Sequence, residues 1–115
     1  MAGQYRIDFQ LLSANGSSLV YYIPAPFDCK VLGMQAACSV DPGDAETIVL
    51  SENSQTIGTL TFGSTIAAGA TGTYAADATY GTKTVNAGDV LCLTFSDCTV
   101  AATFSGYIDV DPYCR

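Results

Sequence analysis

The chain has 115 residues, a formal net charge of −7 and no histidine. That length makes one domain, 1–115, able to bury roughly 65% of its unfolded surface around a single core. The acidic balance repels phosphate backbones and anionic headgroups, which argues against nucleic acid and membrane as partners. The missing imidazole removes the usual general base and metal ligand.

Apolar residues make up 49% of the chain and charged residues only 13%, about half the usual charged share. Such a composition predicts apolar surface covered by another subunit. The plainer alternative is that many of these residues are alanines, which are small and often exposed. Residues 1–6 have neither a basic nor an apolar signal-peptide region, and no apolar run nears 18 residues. The expectation is a chain made in the cytosol, with no spanning helix, that stays there or leaves by lysis.

Along 4–12, Tyr5, Ile7, Phe9 and Leu11 alternate with Arg6, Asp8 and Gln10, a strand with one wet face. Asn15-Gly16 centres a hairpin loop. Residues 19–23 form the second strand, stopped by Pro24 and Pro26. The third runs 29–38, with Gly33 at a bulge or close contact. Asp41-Pro42-Gly43-Asp44 is a turn. The fourth strand spans 46–51, Asn53 and Ser54 turn the chain, and the fifth spans 56–62 with Leu60 and Phe62 opposite Thr59 and Thr61. Residues 63–73 read as a long, uncharged, glycine-bearing loop, a length unusual unless it has a role. In 74–80 the alanines allow a helical turn, while the flanking Thr and Tyr favour extended chain. A short sixth strand follows at 82–85.

Asn86, Gly88 and Asp89 supply turn chemistry. They precede the seventh strand at 90–95, where Leu91, Leu93 and Phe95 alternate with Val90, Cys92 and Thr94. The eighth runs 100–110, with Val100, Ala102, Phe104, Ile108 and Val110 on one face and Gly106 weakening its middle. Eight evenly spaced strands predict an all-β, two-sheet β-sandwich of jelly-roll type. An immunoglobulin-like sandwich ranks second, since the chain has no Trp.

The chemistry that remains is sparse. No Ser-His-Asp or Cys-His arrangement exists without histidine, and no Gly-rich phosphate loop occurs. The reading is therefore no enzyme, no cofactor and no metal. Asp109 with Asp111, and Asp41 with Asp44, could collect oxygen ligands for Ca²⁺, but solvated loop carboxylates are the preferred reading. Asp77 and Asp89 read as turn formers, and Asp8 and Asp28 as wet-face residues. Tyr21 and Tyr22, being adjacent, point to opposite faces and cannot share one sugar platform. Five cysteines cannot all pair within one chain. Cys29 and Cys38 bracket one strand, about 30 Å apart. Cys92 and Cys98 flank a tight turn and are the best local candidates for a bridge, and Cys114 is the candidate for an intermolecular one. Buried thiols are the plainer reading for all five, and the preferred one for Cys38 and Cys92.

The start Met1-Ala2, Ile23-Pro24-Ala25-Pro26-Phe27, the 41–44 turn, the Ala/Gly/Thr-rich span 66–80, Val85-Asn86-Ala87-Gly88-Asp89-Val90-Leu91 and Tyr107-Ile108-Asp109-Val110-Asp111 together resemble the small capsid decoration (cement) proteins of tailed bacteriophages, cyanophage types among them. The resemblance implies a β-sandwich homotrimer on the exterior of the virion. It would bind the major capsid protein and stabilise the shell, with weak contacts multiplied over many copies. On this reading Ile66, Ala67, Ala68, Tyr74 and Tyr80 are expected to make protein contacts, with Cys114 bridging subunits after lysis. The competing reading is a receptor- or glycan-binding head from a phage fibre, or a free carbohydrate-binding module.

Overall fold

The computed structural model describes residues 5–13, 19–40, 46–63, 67–95 and 102–112. Nine strands lie within them: β1 (Tyr5–Ser13), β2 (Leu19–Pro24), β3 (Cys29–Cys38), β4 (Glu46–Glu52), β5 (Gln55–Phe62), β6 (Thr73–Ala76), β7 (Thr84–Val85), β8 (Val90–Phe95) and β9 (Ala102–Asp111). They form a four-stranded sheet, β1-β9-β3-β7, and a five-stranded sheet, β2-β8-β4-β5-β6. Every ladder is antiparallel.

Eight of the strands, all but β6, follow a simple rule. They pair first with last: β1 with β9, β2 with β8, β3 with β7, β4 with β5. Rolling up that four-pair hairpin places β9 beside β3 and β8 beside β4, and both contacts are present. This is the jelly-roll wrap expected from the strand spacing. The strand count is nine rather than eight because the start of 74–80, read as extended chain but not counted as a strand, pairs with β5 as β6. Thr73 and Tyr74 open it as extended chain, and the turn comes after Ala76.

The core follows from alternation. Ile48, Leu50, Leu60, Phe62, Leu91, Leu93 and Phe95 of one sheet meet Val31, Met34, Ala102, Phe104, Ile108 and Val110 of the other, all buried. Phe104 sits edge-on to both Phe62 and Phe95, with ring centroids 5.2 and 5.1 Å away, and Tyr21 packs on the far side of Phe95 at 5.8 Å. Tyr21 thus points inward and its neighbour Tyr22 outward, as strand geometry requires.

The turns use the chemistry their residues carry. Asn53 and Ser54 both have positive φ, 53° and 66°, the mark of a type I′ hairpin between β4 and β5. Gly88 has φ of 88°, which L side chains rarely adopt, and so permits the 86–89 turn. That turn is anchored on the corner after β2. Gly88 N–H donates to Ala25 C=O, Ala25 N–H donates to Asp89 C=O, and Asp28 accepts from Ala87 N–H at 2.8 Å. Asp28 is exposed, as expected of a wet-face residue, but it also ties two corners together. The bulge expected near Gly33 is present, as a register shift between Val31 and Gly33.

Gly106 does more than interrupt β9. It lies between Phe9 and Ala36 in the ladder, and a Cβ there would sit 2.0 Å from the Gln35 carbonyl oxygen and 2.7 Å from Ala36 Cα. Backbone cannot yield as a side chain would. Gly106→Ala is therefore expected to cost about 3 kcal/mol in urea unfolding. Gly33→Ala, whose Cβ would meet nothing nearer than 4.0 Å, should stay within about 0.5 kcal/mol of the parent chain.

Candidate interaction surfaces

The two sheets show opposite characters to solvent. On the four-stranded sheet Arg6, Asp8, Lys30, Asp109 and Asp111 stand outward, beside neutral positions such as Gln10, Leu32, Ala37 and Ser105. Arg6 bonds Asp109 through Nε at 2.9 Å and lies 3.9 Å over the Tyr107 ring, while Lys30 stands opposite Asp111 in the ladder and Asp8 opposite Tyr107.

On the five-stranded sheet the outward positions form cross-strand rows without a single charged side chain. One row runs Val20, Thr94, Val49, Thr59, Ala75; the next runs Tyr22, Cys92, Ser51, Thr56. Pro24 pairs with Val90 at one end, and Thr47, Thr61 and Thr73 align at the other. The two acids of β4, Glu46 and Glu52, fall on the alternate positions and are buried. Tyr22 is the most exposed large apolar residue described, at 68%, with Val20 and Val90 above 40%. Short hydroxyl and aliphatic side chains in register give a flat surface that can meet another surface closely.

The 67–76 segment closes one side of the sandwich. Ala37 and Thr71 form an isolated antiparallel bridge, Gly69 N–H donates to Cys38 C=O at 2.7 Å, and Cys38 N–H donates to Ala70 C=O. Gln35 completes this seam with its amide. Its Nε2 donates to Gly72 C=O at 2.9 Å and its Oε1 accepts from Gly72 N–H at 3.0 Å, copying the two bonds of a strand pair. The chain then crosses to the edge of β5 as β6. Between this segment and the outer face of the four-stranded sheet lies an open groove of about 590 Å³, lined by Gln10, Ala37, Cys38, Ser39, Ala68, Gly69, Thr103 and Ser105.

The residues expected at protein contacts fall in different places. Ala67 and Ala68 are exposed on the seam segment, and Ala68 lines that groove. Tyr74 is half-buried and points between the sheets, its ring laid against Gly58, where a Cβ would collide with it. Burial raises its phenol pKa above the ordinary value. Packing within its own chain thus accounts for Tyr74. Tyr80 is exposed in the turn after β6. Asp77 organises that turn by accepting from the Thr79 and Tyr80 amides, both at 2.9 Å, and those bonds lower its pKa from 3.8. Ile66, Cys98 and Cys114 lie outside the described residues, as do Asp41 and Asp44. Cys92 is a half-buried free thiol on the outward face of β8, and Cys29 and Cys38 are buried. Lys83 pairs with Glu52 at 3.0 Å and donates to Gln55, fastening the β6–β7 connection to the β4–β5 hairpin.

Among the described residues no group of three or more His, Cys, Asp or Glu side chains is placed to hold a metal ion. No described helix is long and apolar enough to cross a membrane. In comparisons with known proteins, no protein-family model, no curated protein and no solved structure matches the chain.

Two outcomes test the seam. Gln35→Ala leaves both Gly72 backbone groups without their amide partner and should cost about 1–2 kcal/mol, with faster hydrogen exchange at Gly72. Asp77 has a folded pKa below its unfolded value, so its stabilisation is complete above pH 3.8 and is lost as pH falls through the folded pKa. Exchange at the Thr79 and Tyr80 amides, corrected for intrinsic rates, should accelerate over that acidic range. Asp77→Asn should remove the pH dependence.

Proposed function

We propose that this chain is a structural virion protein, a capsid decoration protein that binds the outer shell of a tailed-phage head as a homotrimer and stabilises it. The observation that carries the reading is the uncharged outer face of the five-stranded sheet on a chain of net charge −7. A solvent-only face of an acidic domain has no reason to exclude charge across five strands, whereas a face meant to be covered by protein does. The jelly-roll wrap is in keeping with this, since capsid domains use it, but it also hosts lectins and enzymes and does not carry function by itself. The sequence resemblance supplies the phage head as the setting.

The work is adhesion. Many copies on one shell make weak single contacts sufficient, because each bound neighbour raises the effective concentration of the next contact. Contacts made through uncharged surface should also be little weakened by salt, since screening acts on charges.

The receptor- or glycan-binding reading has one feature in its favour: the open groove beside Ala68, with Gln10, Ser39, Thr103 and Ser105 offering amide and hydroxyl groups to a polar ligand. None of its lining residues is aromatic, so a sugar ring would find no stacking platform there.

Mixing the purified chain with undecorated heads of its own phage tests the proposal. Saturable co-sedimentation is expected, together with a higher temperature of DNA release from the decorated heads. Failure to sediment with the heads at any ratio, alongside a reproducible hit on a glycan array, would replace the decoration role with the glycan-binding one.

A further inference from the structure

We infer that the outer face of the five-stranded sheet is the surface through which copies of this chain associate with one another. The inference deepens the decoration reading by assigning the self-contact to one face, and its test separates failure of the two.

Charge selects the occupant. Two chains of net charge −7 repel in most orientations. The outward charges placed on strands, Arg6, Asp8, Lys30, Asp109 and Asp111, lie on the other sheet. When copies meet through their five-stranded sheets, those charged faces point away from the contact, each about 10 Å behind it, one sheet spacing and more than a Debye length of about 8 Å. A partner of opposite charge would be better met by the charged face. An uncharged face on an acidic body suits a partner of the same sign, and a second copy carries that sign by necessity.

The apolar content and the size agree. Tyr22, Val20 and Val90 are exposed side by side along the β2–β8 ladder, with Pro24 paired to Val90. Tyrosine is the kind of residue that anchors such contacts, presenting a large rigid ring at low entropic cost. Five strands about 4.8 Å apart and about six residues at about 3.4 Å each give each copy a face of roughly 500 Å² in projection, so three faces meeting about one axis bury about 1,500 Å² in all. That reaches the lower bound of a specific interface. Cys92 stands in the row with Tyr22 and serves as a reporter of cover.

Light scattering or sedimentation equilibrium from about 1 to 100 μM, a range that brackets dissociation constants typical of weak interfaces, reads the outcome. The parent chain should exceed monomer mass. Tyr22→Asp should raise the dissociation constant roughly thirtyfold or more, and Val90→Asp should act in the same direction, both with unchanged circular dichroism and melting temperature. Leu32→Asp, 45% exposed against 41% for Val90 but on the four-stranded sheet, should leave the mass unchanged. Alkylation at Cys92, resolved by peptide mass spectrometry, should slow as concentration rises.

Monomer mass throughout overturns the inference, as does dissociation by Leu32→Asp with Tyr22→Asp inert. A monomeric parent whose head binding is abolished by Tyr22→Asp would assign the face to the capsid, ending this inference and leaving the decoration role intact. Self-association through the face without head binding would end the decoration role alone.

Discussion

One side chain of the four-stranded sheet, Phe104, stands between two of the other sheet, Phe62 and Phe95. The three rings meet edge to face, an arrangement worth about 0.5–1.5 kcal/mol per pair beyond the burial of the rings themselves. All three are fully buried. The contact does more than add stability. It allows one side-to-side placement of the sheets, and each ring sits on a strand whose neighbours alternate in and out. Holding Phe95 inward commits Cys92 and Thr94 to the outside; holding Phe62 inward commits Thr59 and Thr61. A slip of one residue would turn each strand over and expose its apolar set. The external surface is thus a consequence of the core.

A second constraint acts at the side of the sandwich. A jelly roll leaves edges that must be paired, covered or made unattractive to other strands. Beyond the two residues of β7, the edge of β3 is taken up by residues 69–72 through backbone bonds and the Gln35 amide. The same stretch then becomes β6 and covers β5. Tyr74 fills the gap this crossing leaves between the sheets, over Gly58 and 4.0 Å from the Cβ position of Gly33. The glycines and alanines of 67–76 are therefore suited to close approach of backbone, while Ala67 and Ala68 at one end and Thr73 and Ala75 at the other remain exposed.

These constraints together explain how a chain this poor in charge can be two-faced. The charges among the described residues are concentrated on one outer sheet face, in the turns and connections and at the two inward glutamates of β4. The opposite face is left with hydroxyls, aliphatics and Tyr22. Such a division suits the adhesive role proposed, with one side that would keep the chain dispersed and one that would tolerate contact.

Much of this was legible in the chain itself, and for a local reason. A period of two is a property of neighbouring residues, so the extent of β3, the inward set of β8 and β9, the opposed Tyr21 and Tyr22, the bulge near Gly33 and the turn at 86–89 all follow from the order of side chains. The turn-forming role of Asp77 follows in the same way. Strand spacing was enough for the jelly roll. What the order of residues could not settle is which distant segments lie side by side. Gln35 looks like any wet-face polar residue until Gly72, 37 positions away, is brought beside it. Nothing in the order of residues places Tyr74 between the sheets, over Gly58. Glycine at 106 reads as a weakness until Ala36 is laid across it. The uncharged face is the clearest instance: each strand contributes only two or three neutral outward residues, which mean nothing alone. They become a surface when the order β2-β8-β4-β5-β6 sets them about 4.8 Å apart. Alternation along a strand is decided by bonds between neighbours; a face is decided by ladders between strands far apart in the chain, and those exist only once the whole sheet has closed.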